Sequence, residues 1–326
     1  MKKLRIGVLG AANIAIRSII PTIKQLSDRF ELVGVASRHL AEARCRLAHL
    51  DTEVTSGYGE LLHREYIDAV YIPLPNALHY QWAKTALGRG IHVLVEKSLA
   101  CTFDEVVELN ELAAANDLAL VENFQFRFHP QLAYILDLLQ QGTLGELRIV
   151  RSTFCFPPFP DRSNIRYQKA LGGGALLDAG AYPIKLSQFI LGDDLVVTSA
   201  TLNIDDEKGV DIWGGAYLKQ KTGTLFSQIA FGFDQYYQCN VEIVGTKGKL
   251  YTNRIFTAGE NVTPVVVLET QENGRQEVML ATDNHFKNML SYFYEAAVGT
   301  KDKRHEYTAN INQARLLKEL REKSHE

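Results

Sequence analysis

Residues 4–15 read LRIGVLGAANIA and decide the fold of the first part of the chain. The branched apolar residues at 4–9 are typical of a buried β-strand, and the small residues after them are typical of a tight turn. A helical stretch follows from about residue 14 to residue 27. A strand, a small-residue turn and a helix in this order begin a βαβ unit, and we expect a parallel sheet here.

The same alternation continues through the first third of the chain. The predicted elements that follow are strand 31–36, helix 39–49, strand 68–72, helix 77–89, strand 91–95, helix 103–116 and strand 118–122. The strands are apolar almost without interruption, as a sheet covered by helices on both faces requires. We therefore expect residues 1–123 to form a Rossmann domain, an α/β domain with a parallel sheet.

The pattern changes after residue 123. A helix at 129–141 and a glycine-rich helix start near 172–174 precede β-branched and aromatic stretches at 196–204, 211–220, 223–231, 239–245 and 262–270. Short turns such as those between these stretches join antiparallel neighbours. We expect residues 124–326 to form an α+β domain with a mainly antiparallel, open-faced sheet that binds substrate and mediates oligomerisation. Its C-terminal helix region is expected to pack back on the first domain.

Composition and charge exclude several classes of protein. The 326 residues carry a formal net charge of −3 and are 46% hydrophobic, which is typical of a globular protein of about two domains. A nearly neutral chain lacks the basic surface that nucleic acids or anionic membranes require. The basic residues Lys2, Lys3 and Arg5 precede an apolar run that superficially resembles a secretion signal. Asn13 interrupts that run, and we expect no signal peptide.

The cysteine and histidine patterns contain no metal or disulfide motif. The four cysteines, Cys45, Cys101, Cys155 and Cys239, are scattered singly, which fits a reducing compartment. The nine histidines form no His-Glu-x-x-His pattern. We therefore expect a cytoplasmic protein without a metal site, whose partners are small molecules and further copies of itself.

The turn after the first predicted strand has the composition of a phosphate-binding turn. A helix N-terminus offers unpaired N–H groups to an anion, and small residues let a pyrophosphate approach closely. Gly10 and Ala15 fit the first and third positions of the Gly-x-Gly-x-x-Gly/Ala pattern, but Ala12 replaces the second glycine. A methyl group there tolerates the ligand only if the backbone avoids positive φ. A small-residue turn without any ligand is the structural alternative, and the βαβ context favours a dinucleotide.

The end of the second predicted strand indicates which dinucleotide is bound. Proteins that bind NAD usually place an acid there to hold the ribose 2′-hydroxyl. This chain has Ser37 and Arg38, and no carboxylate appears before Glu42. A hydroxyl and a guanidinium can bind a 2′-phosphate that an acid would repel, so we predict NADP(H) as the cofactor. The alternative is that Arg38 is only a solvated turn residue.

Two further positions carry candidate chemistry. The strand at 91–95 ends in Glu96-Lys97, and the carboxyl ends of parallel strands face the ligand crevice, so Lys97 is expected to point toward the nicotinamide. After a triple glycine at 172–174, Asp178 and Tyr182 are four residues apart and share a helix face. The structural alternatives are a solvated charge for Lys97 and a packed core aromatic for Tyr182.

Taken together, these motifs resemble the glucose–fructose oxidoreductase/inositol dehydrogenase (Gfo/Idh/MocA) family over essentially the whole chain. The motifs that carry the resemblance are the turn at 10–15, Pro75-Asn76-x-x-His79, Glu96-Lys97 and the triple glycine with Asp178. Family members usually have proline after the Glu-Lys pair, often in a constrained bond, whereas this chain has Ser98, for which we expect a freer peptide bond.

Three features resemble, within that family, the NADP-dependent ketoreductases that act on nucleotide-linked deoxysugars. They are Asn13-Ile14-Ala15 in the turn, Asn164-Ile165-Arg166-Tyr167 before the glycines, and Tyr182 where many relatives carry histidine.

The resemblance implies that Lys97 and Tyr182 form the catalytic pair. Hydride reaches a sugar carbonyl carbon, and the oxygen must gain a proton. A free tyrosine has a pKa near ~10, and a lysine cation close by favours the phenolate and lowers that pKa. Lys97 is also expected to donate a hydrogen bond to the developing alkoxide, and Asp178 to orient Lys97 or a substrate hydroxyl.

The resemblance also implies two sets of contact residues. The expected substrate contacts are Arg166, Tyr167, Asp178 and Tyr182. For His79, a structural role at a helix start is an equal alternative to a place near the cofactor. The expected cofactor contacts are Gly10, Ala12, Asn13, Ile14, Ser37, Arg38, Leu74, Asn76, His79, Glu96 and Lys97.

Three functions remain open at this point. The first is an NADP-dependent reductase of a keto-deoxysugar carried on a nucleotide, a 3-ketoreductase. The second is a dehydrogenase of a free sugar, polyol or dihydrodiol, and the third is a cofactor-binding sensor without turnover. The presence of both Lys97 and Tyr182 argues against the sensor, because a sensor needs neither. We expect a homodimer or homotetramer that packs through the sheet of the second domain.

Overall fold

A computed structural model describes Lys2 to His325 and divides the chain into two compact units. The first contains the chain up to Asn123 together with Phe286–Ile311. The second contains Phe124–His285 and the chain from Asn312 onward.

The first unit contains a six-stranded parallel sheet with the order β3-β2-β1-β4-β5-β6. The direction in which the chain adds strands reverses between β1 and β4, and such a switch point opens a ligand crevice at the carboxyl ends of the strands. This sheet confirms the predicted Rossmann fold. Its strands are β1 (Leu4–Leu9), β2 (Phe30–Ser37), β3 (Val54–Ser56), β4 (Ala69–Ile72), β5 (His92–Glu96) and β6 (Leu120–Asn123).

The second unit contains an eight-stranded sheet with the order β14-β13-β12-β11-β7-β10-β9-β8. Every neighbouring pair is antiparallel except β7 and β10, which run parallel. The predicted mainly antiparallel sheet is therefore confirmed. Its strands are β7 (Leu147–Cys155), β8 (Leu195–Asp205), β9 (Val210–Gln220), β10 (Phe226–Gly232), β11 (Gln238–Gly245), β12 (Gly248–Asn253), β13 (Val265–Thr270) and β14 (Gly274–Met279).

Most helices occupy the predicted regions, but the third and the last were not predicted, and two π-helical turns are local differences. The helices are α1 (Ile20–Gln25), α2 (Leu40–Leu47), α3 (Tyr58–Leu62), α4 (Asn76–Leu87), α5 (Phe103–Ala115), α6 (Pro130–Gln140), α7 (Ala181–Leu191), α8 (His285–Ala297) and α9 (Arg304–Lys323). A π-helical turn, Ala15–Ile19, precedes α1 because Pro21 has no N–H for a regular helical hydrogen bond. A second π-helical turn, Leu176–Gly180, precedes α7. None of the helices within residues 2–325 is long and apolar enough to cross a membrane.

The two faces of the second sheet differ in character. On one face, the π-helical turn before α7 approaches so closely that a Cβ on Gly180 would lie 2.9 Å from the Phe231 ring, and the Ser187 hydroxyl of α7 hydrogen-bonds to that of Ser227. The opposite face carries partly exposed polar side chains, including Arg151, whose guanidinium lies 2.6 Å from the Glu242 carboxylate. The helix that carries Tyr182 is thus fixed against the closed face of the sheet.

Candidate active site

The turn after β1 requires glycine at its first position. Gly10 has φ +119°, and a Cβ there would lie 2.9 Å from the Leu74 side chain. Its N–H donates to Ala36 O at 2.9 Å, which ties the turn to β2. Ala12 is not among the non-glycine residues of the described chain that have a positive φ. The condition under which a methyl group at Ala12 tolerates a pyrophosphate is therefore met.

A cation that the sequence analysis missed lies beside this turn. Arg46 of α2 donates to Asn13 Oδ1 at 2.6 Å and lies 3.7 Å from the Glu42 carboxylate. Glu42, the first acid after β2, therefore has a cationic neighbour one turn along its own helix. The arginines in and just before α2, at 38, 44 and 46 in the sequence, were the available signal, but which of them reaches the turn depends on how α2 lies against it.

The end of β2 presents a hydroxyl and a guanidinium. Ser37 is buried, and its Oγ accepts from the His39 N–H at 3.1 Å. Arg38 is exposed, and its guanidinium carbon lies 6.0 Å from the centroid of the Tyr58 ring. A cation supported on an aromatic face is a common partner for an anionic ligand. This geometry is compatible with both predicted cofactor contacts.

His79 is completely buried and connects the segments that follow β4 and β5. Its Nδ1 lies 2.7 Å from Ser98 O, and its Nε2 lies 2.6 Å from Leu74 O. Burial lowers the pKa of His79 to about 4, although the two carbonyls oppose that change. The geometry supports the structural alternative for this histidine, because both ring nitrogens face backbone carbonyls.

The Glu96 side chain stabilises the strand ends next to Lys97. Its Oε1 accepts from the Tyr71 hydroxyl at 2.6 Å and from the Asn123 amide at 2.7 Å. Burial raises the pKa of Glu96, and these two hydrogen bonds oppose the change. Glu96 thereby links β4, β5 and β6 at their carboxyl ends. The peptide bond between Lys97 and Ser98 is cis. From the sequence, we expected serine to leave this bond less constrained than proline would.

In the second unit, Tyr182 is surrounded by aromatic rings but keeps a polar partner. It is 7% exposed, and the ring centroids of Phe124, Phe154 and Phe256 lie 5.5, 5.0 and 5.5 Å from its own. Its hydroxyl donates to Gln125 Oε1 at 3.2 Å. The packed aromatic predicted as the structural alternative is thus present, and it carries a directed hydroxyl. Gln125 was not predicted from the sequence as a partner of Tyr182.

Asp178 forms an ion pair with Arg166. The Arg166 Nε lies 2.5 Å from Asp178 Oδ2, and the side chain of Asp178 is 15% exposed. The Asp178 carboxylate raises the pKa of the guanidinium, which also stacks 4.7 Å from the Phe159 ring. The Tyr167 hydroxyl accepts from the Phe159 N–H at 3.1 Å. Three of the four predicted substrate residues, Asp178, Arg166 and Tyr167, thus share one aromatic and charged cluster.

The triple glycine allows the start of this helix to be capped from the sheet. Gly174 has φ +116°, and a Cβ there would collide with the Asp211 carboxylate. A Cβ on Gly173 would lie 2.5 Å from Arg166 O. Asp211 of β9 accepts from the Leu176 N–H and is 9% exposed. A buried carboxylate at a helix N-terminus satisfies orphan N–H groups, so Asp211 fixes the turn that carries Asp178.

Family comparisons agree with the division into two units. Residues 4–124 match the family described as "Oxidoreductase family, NAD-binding Rossmann fold", and residues 132–251 match the "GFO/IDH/MocA C-terminal domain". A dTDP-3,4-didehydro-2,6-dideoxy-alpha-D-glucose 3-reductase from Actinomadura kijaniata is 36% identical over 318 residues, 98% of this chain and 95% of the relative. The chain belongs to the GFO/IDH/MocA oxidoreductase family.

A solved structure and a second relative are also similar to this chain. The crystal structure of a 3-ketoreductase from Actinomadura kijaniata in complex with NADP and TDP-benzene has a TM-score of 0.93 and 35% identity, and covers 98% of both chains. A D-xylose 1-dehydrogenase (NADP(+)) from Haloferax volcanii is 32% identical over 291 residues, 88% of this chain and 87% of the relative. As a GFO/IDH/MocA member, the chain is an oxidoreductase.

Proposed function

We propose that this protein is an NADP-dependent 3-ketoreductase of a nucleotide-linked deoxysugar. The observation that carries the proposal is the directed hydroxyl of Tyr182 beside the Asp178–Arg166 pair, in a chain 36% identical to a sugar 3-reductase along 98% of its length. Many members of the family have histidine at the position of Tyr182, and the sequence therefore predicted a resemblance to the ketoreductases. A tyrosine in that position supports the ketoreductase branch.

The residues of the first unit fit NADP(H). Gly10, at φ +119°, makes the tight turn after β1, and Ser37 and Arg38 offer a hydroxyl and a cation where a 2′-phosphate needs partners. The nearest acid along the chain, Glu42, is paired with Arg46. We propose that the cofactor contacts are Gly10, Ala12, Asn13, Ile14, Ser37, Arg38, Leu74, Asn76, Glu96 and Lys97, and that His79 has the structural role that its burial supports.

The proposed chemistry divides between a hydride and a proton. A bound NADPH would supply the hydride for the keto carbon and would itself be oxidised to NADP⁺. Tyr182 gives its hydroxyl proton to the keto oxygen, which receives the electron pair of the broken π bond, and the phenolate is then reprotonated from water. Lys97 donates a hydrogen bond to the same oxygen as its negative charge develops.

The charged cluster of the second unit supports a substrate with several hydroxyls and an anionic carrier. Asp178 accepts from Arg166 and can also accept from a sugar hydroxyl, since an ionised carboxylate has about four lone-pair sites. The Arg166 guanidinium has N–H donors besides the one on Nε. The planar arrangement of such donors matches the oxygens of a phosphate. We propose Arg166, Tyr167, Asp178 and Tyr182 as the substrate contacts.

The decisive experiment compares substrates. Purified protein is given NADPH and dTDP-3,4-didehydro-2,6-dideoxyglucose, and both the loss of NADPH absorbance and the carbon reduced are measured. We expect reduction at carbon 3 with a kcat/KM far above that for the same sugar without its nucleotide. Equal efficiency on the free sugar, or no turnover with the nucleotide sugar, would contradict the proposal.

A dehydrogenase of free sugars is the second candidate, because a D-xylose 1-dehydrogenase (NADP(+)) is 32% identical to this chain. The same preparation is therefore assayed with NADP⁺ and D-xylose. Oxidation of D-xylose at a higher kcat/KM than reduction of the nucleotide sugar would select this function instead.

We also propose that the protein is a homodimer or homotetramer that packs through the second sheet. The face opposite α7 carries the stacked rings of Tyr217 and Phe226, whose centroids lie 4.7 Å apart, next to the Arg151–Glu242 pair. Trp213, on the same strand as Tyr217, is 36% exposed. Aromatic and arginine side chains of this kind are enriched in interfaces between subunits.

A further inference from the structure

Gln125 connects the Tyr182 hydroxyl to the backbone of a neighbouring segment. Tyr182 Oη donates to Gln125 Oε1 at 3.2 Å, and Gln125 Nε2 donates to Phe256 O at 3.2 Å. All three residues belong to the second unit. Gln125 begins a short 3₁₀ turn, Gln125–Phe128, and its side chain is half-buried.

These two contacts fix which way the Gln125 amide faces. If the amide were turned over, its oxygen would face the Phe256 carbonyl oxygen at hydrogen-bond distance, and two acceptors there repel each other. The carbonyl of the amide therefore faces Tyr182. Because a carbonyl only accepts, it pairs with the neutral phenol and not with the phenolate.

The ring of Tyr182 has little freedom of its own. Phe124, Phe154 and Phe256 pack around it with centroids 5.0–5.5 Å away, so the hydroxyl hydrogen is the part that can still rotate. A nearby hydrogen-bond acceptor decides where that hydrogen points. Gln125 supplies this acceptor.

Charged groups of both signs lie near this phenol in the second unit. Arg166 interacts electrostatically with Tyr182 and is itself paired with Asp178, one turn before Tyr182. Lys185 of α7 lies with its Nζ 5.5 Å from the centroid of the Phe124 ring, and that ring packs against Tyr182. A neutral acceptor in direct contact with the hydroxyl therefore remains a distinct influence on its protonation.

We propose that Gln125 is a positioning residue that holds Tyr182 as a protonated donor and so sets the pH range in which the enzyme reduces ketones. The proposal rests on the proposed role of Tyr182, since only the neutral phenol can give a proton to the keto oxygen. In the opposite direction, oxidation of an alcohol, the phenolate is the reactive form. Gln125 thereby favours the reductive half of the reaction at neutral and mildly alkaline pH.

The first test follows Tyr182 directly in the complex with NADP⁺. The protein is labelled with ¹³Cζ-tyrosine, and the resonance of Tyr182 is identified by its loss in Tyr182→Phe. In Gln125→Met, which keeps the length of the side chain and removes the acceptor, the titration midpoint of Tyr182 should fall by ~0.5–1 pH unit, the value of one ordinary hydrogen bond. Gln131→Met is the matched control, because Gln131 is a buried glutamine that donates to Thr252 Oγ1 at 2.7 Å. In Gln131→Met, the titration midpoint of Tyr182 should stay at the wild-type value.

The second test uses a charged acceptor and the pH profile. In Gln125→Glu, a carboxylate accepts more strongly from the phenol, so the Tyr182 midpoint should rise above the wild-type value. The alkaline limb of kcat for ketone reduction should move with the midpoint in both variants, while KM changes little. If Gln125→Met does not fold, the Gln125→Glu variant still tests the proposal.

An unchanged midpoint in Gln125→Met, or an equal change in Gln131→Met, would overturn the proposal. Failure of the proposed function gives a different result. In that case Tyr182→Phe retains turnover while the midpoint still moves in the Gln125 variants, because the titration needs no substrate.

Discussion

The guanidinium of Arg38 should discriminate NADPH from NADH. It lies at the end of β2 next to the Ser37 hydroxyl and over the face of Tyr58, and it is exposed to solvent. A charged hydrogen bond to a 2′-phosphate is worth ~1.5–3 kcal/mol, so Arg38→Ala should weaken NADPH binding by roughly 10- to 100-fold. Because NADH has no 2′-phosphate, its dissociation constant should change little.

The measurement is a pair of calorimetric titrations for each variant, one with NADPH and one with NADH. Arg44→Ala is the matched control, because Arg44 is an exposed arginine of the neighbouring helix α2 and no cofactor contact is proposed for it. Raising the salt concentration should reduce the difference between wild type and Arg38→Ala, because an exposed charge is screened. Equal losses for both cofactors in Arg38→Ala, or a wild-type preference for NADH, would refute the reasoning.

Three other predictions concern the turn, the buried histidine and assembly. Gly10→Ala places a methyl group 2.9 Å from Leu74 at φ +119°, so it should weaken binding of NADPH and NADH alike, as titration would reveal. His79 has its pKa lowered to about 4, so stability should fall as the pH drops from about 6.5 toward 4, by about 2 kcal/mol at pH 5 relative to pH 7. Urea unfolding at the two pH values should show a smaller pH dependence in His79→Gln, and an equal dependence would disprove this role. Sedimentation should find a dimer or tetramer, and a stable monomer at micromolar concentration would count against packing through the second sheet.

The first sheet could be predicted from the sequence because its strands are buried on both faces. Strands such as β4 and β5 are continuous apolar runs between helices, and burial of this kind leaves a clear pattern. β7 was missed, although it lies in the middle of the second sheet. Its exposed residues Arg148 and Arg151 interrupt the apolar pattern, so the stretch does not look like a core strand. Five other elements were also not predicted from the sequence: β3, α3, β12, β14 and α9.

The length of an element and its polarity explain most of these omissions. β3 has three residues, and α3 has five, which is too short for a periodic pattern. β14 has mostly exposed side chains. α9 has 20 residues and is rich in charge, so its apolar stripe is narrow.

The candidate site could be predicted only where the chemistry is local. The glycine of the turn, the Glu-Lys strand end and the tyrosine of α7 follow patterns within a few residues. The partners of those residues come from distant parts of the chain. Asp211 caps the turn before Tyr182 from 35 residues away, and Gln125 reaches Tyr182 across 57 residues. Such contacts depend on tertiary packing, and the sequence offers no spacing by which to find them.

The most direct test of the proposed function is the rate of ketone reduction by Tyr182→Phe. This change keeps the packing against Phe154 and Phe256 and removes only the proton donor. General acid catalysis contributes ~10²–10⁴-fold, so kcat on the nucleotide-linked keto sugar should fall within that range while NADPH affinity stays near wild type. Lys97→Ala should cost at least as much, and the double variant should be far less than multiplicatively worse, because we propose that the two groups act on one oxygen. Nearly full turnover in Tyr182→Phe would contradict the account and return Tyr182 to the role of a packed aromatic.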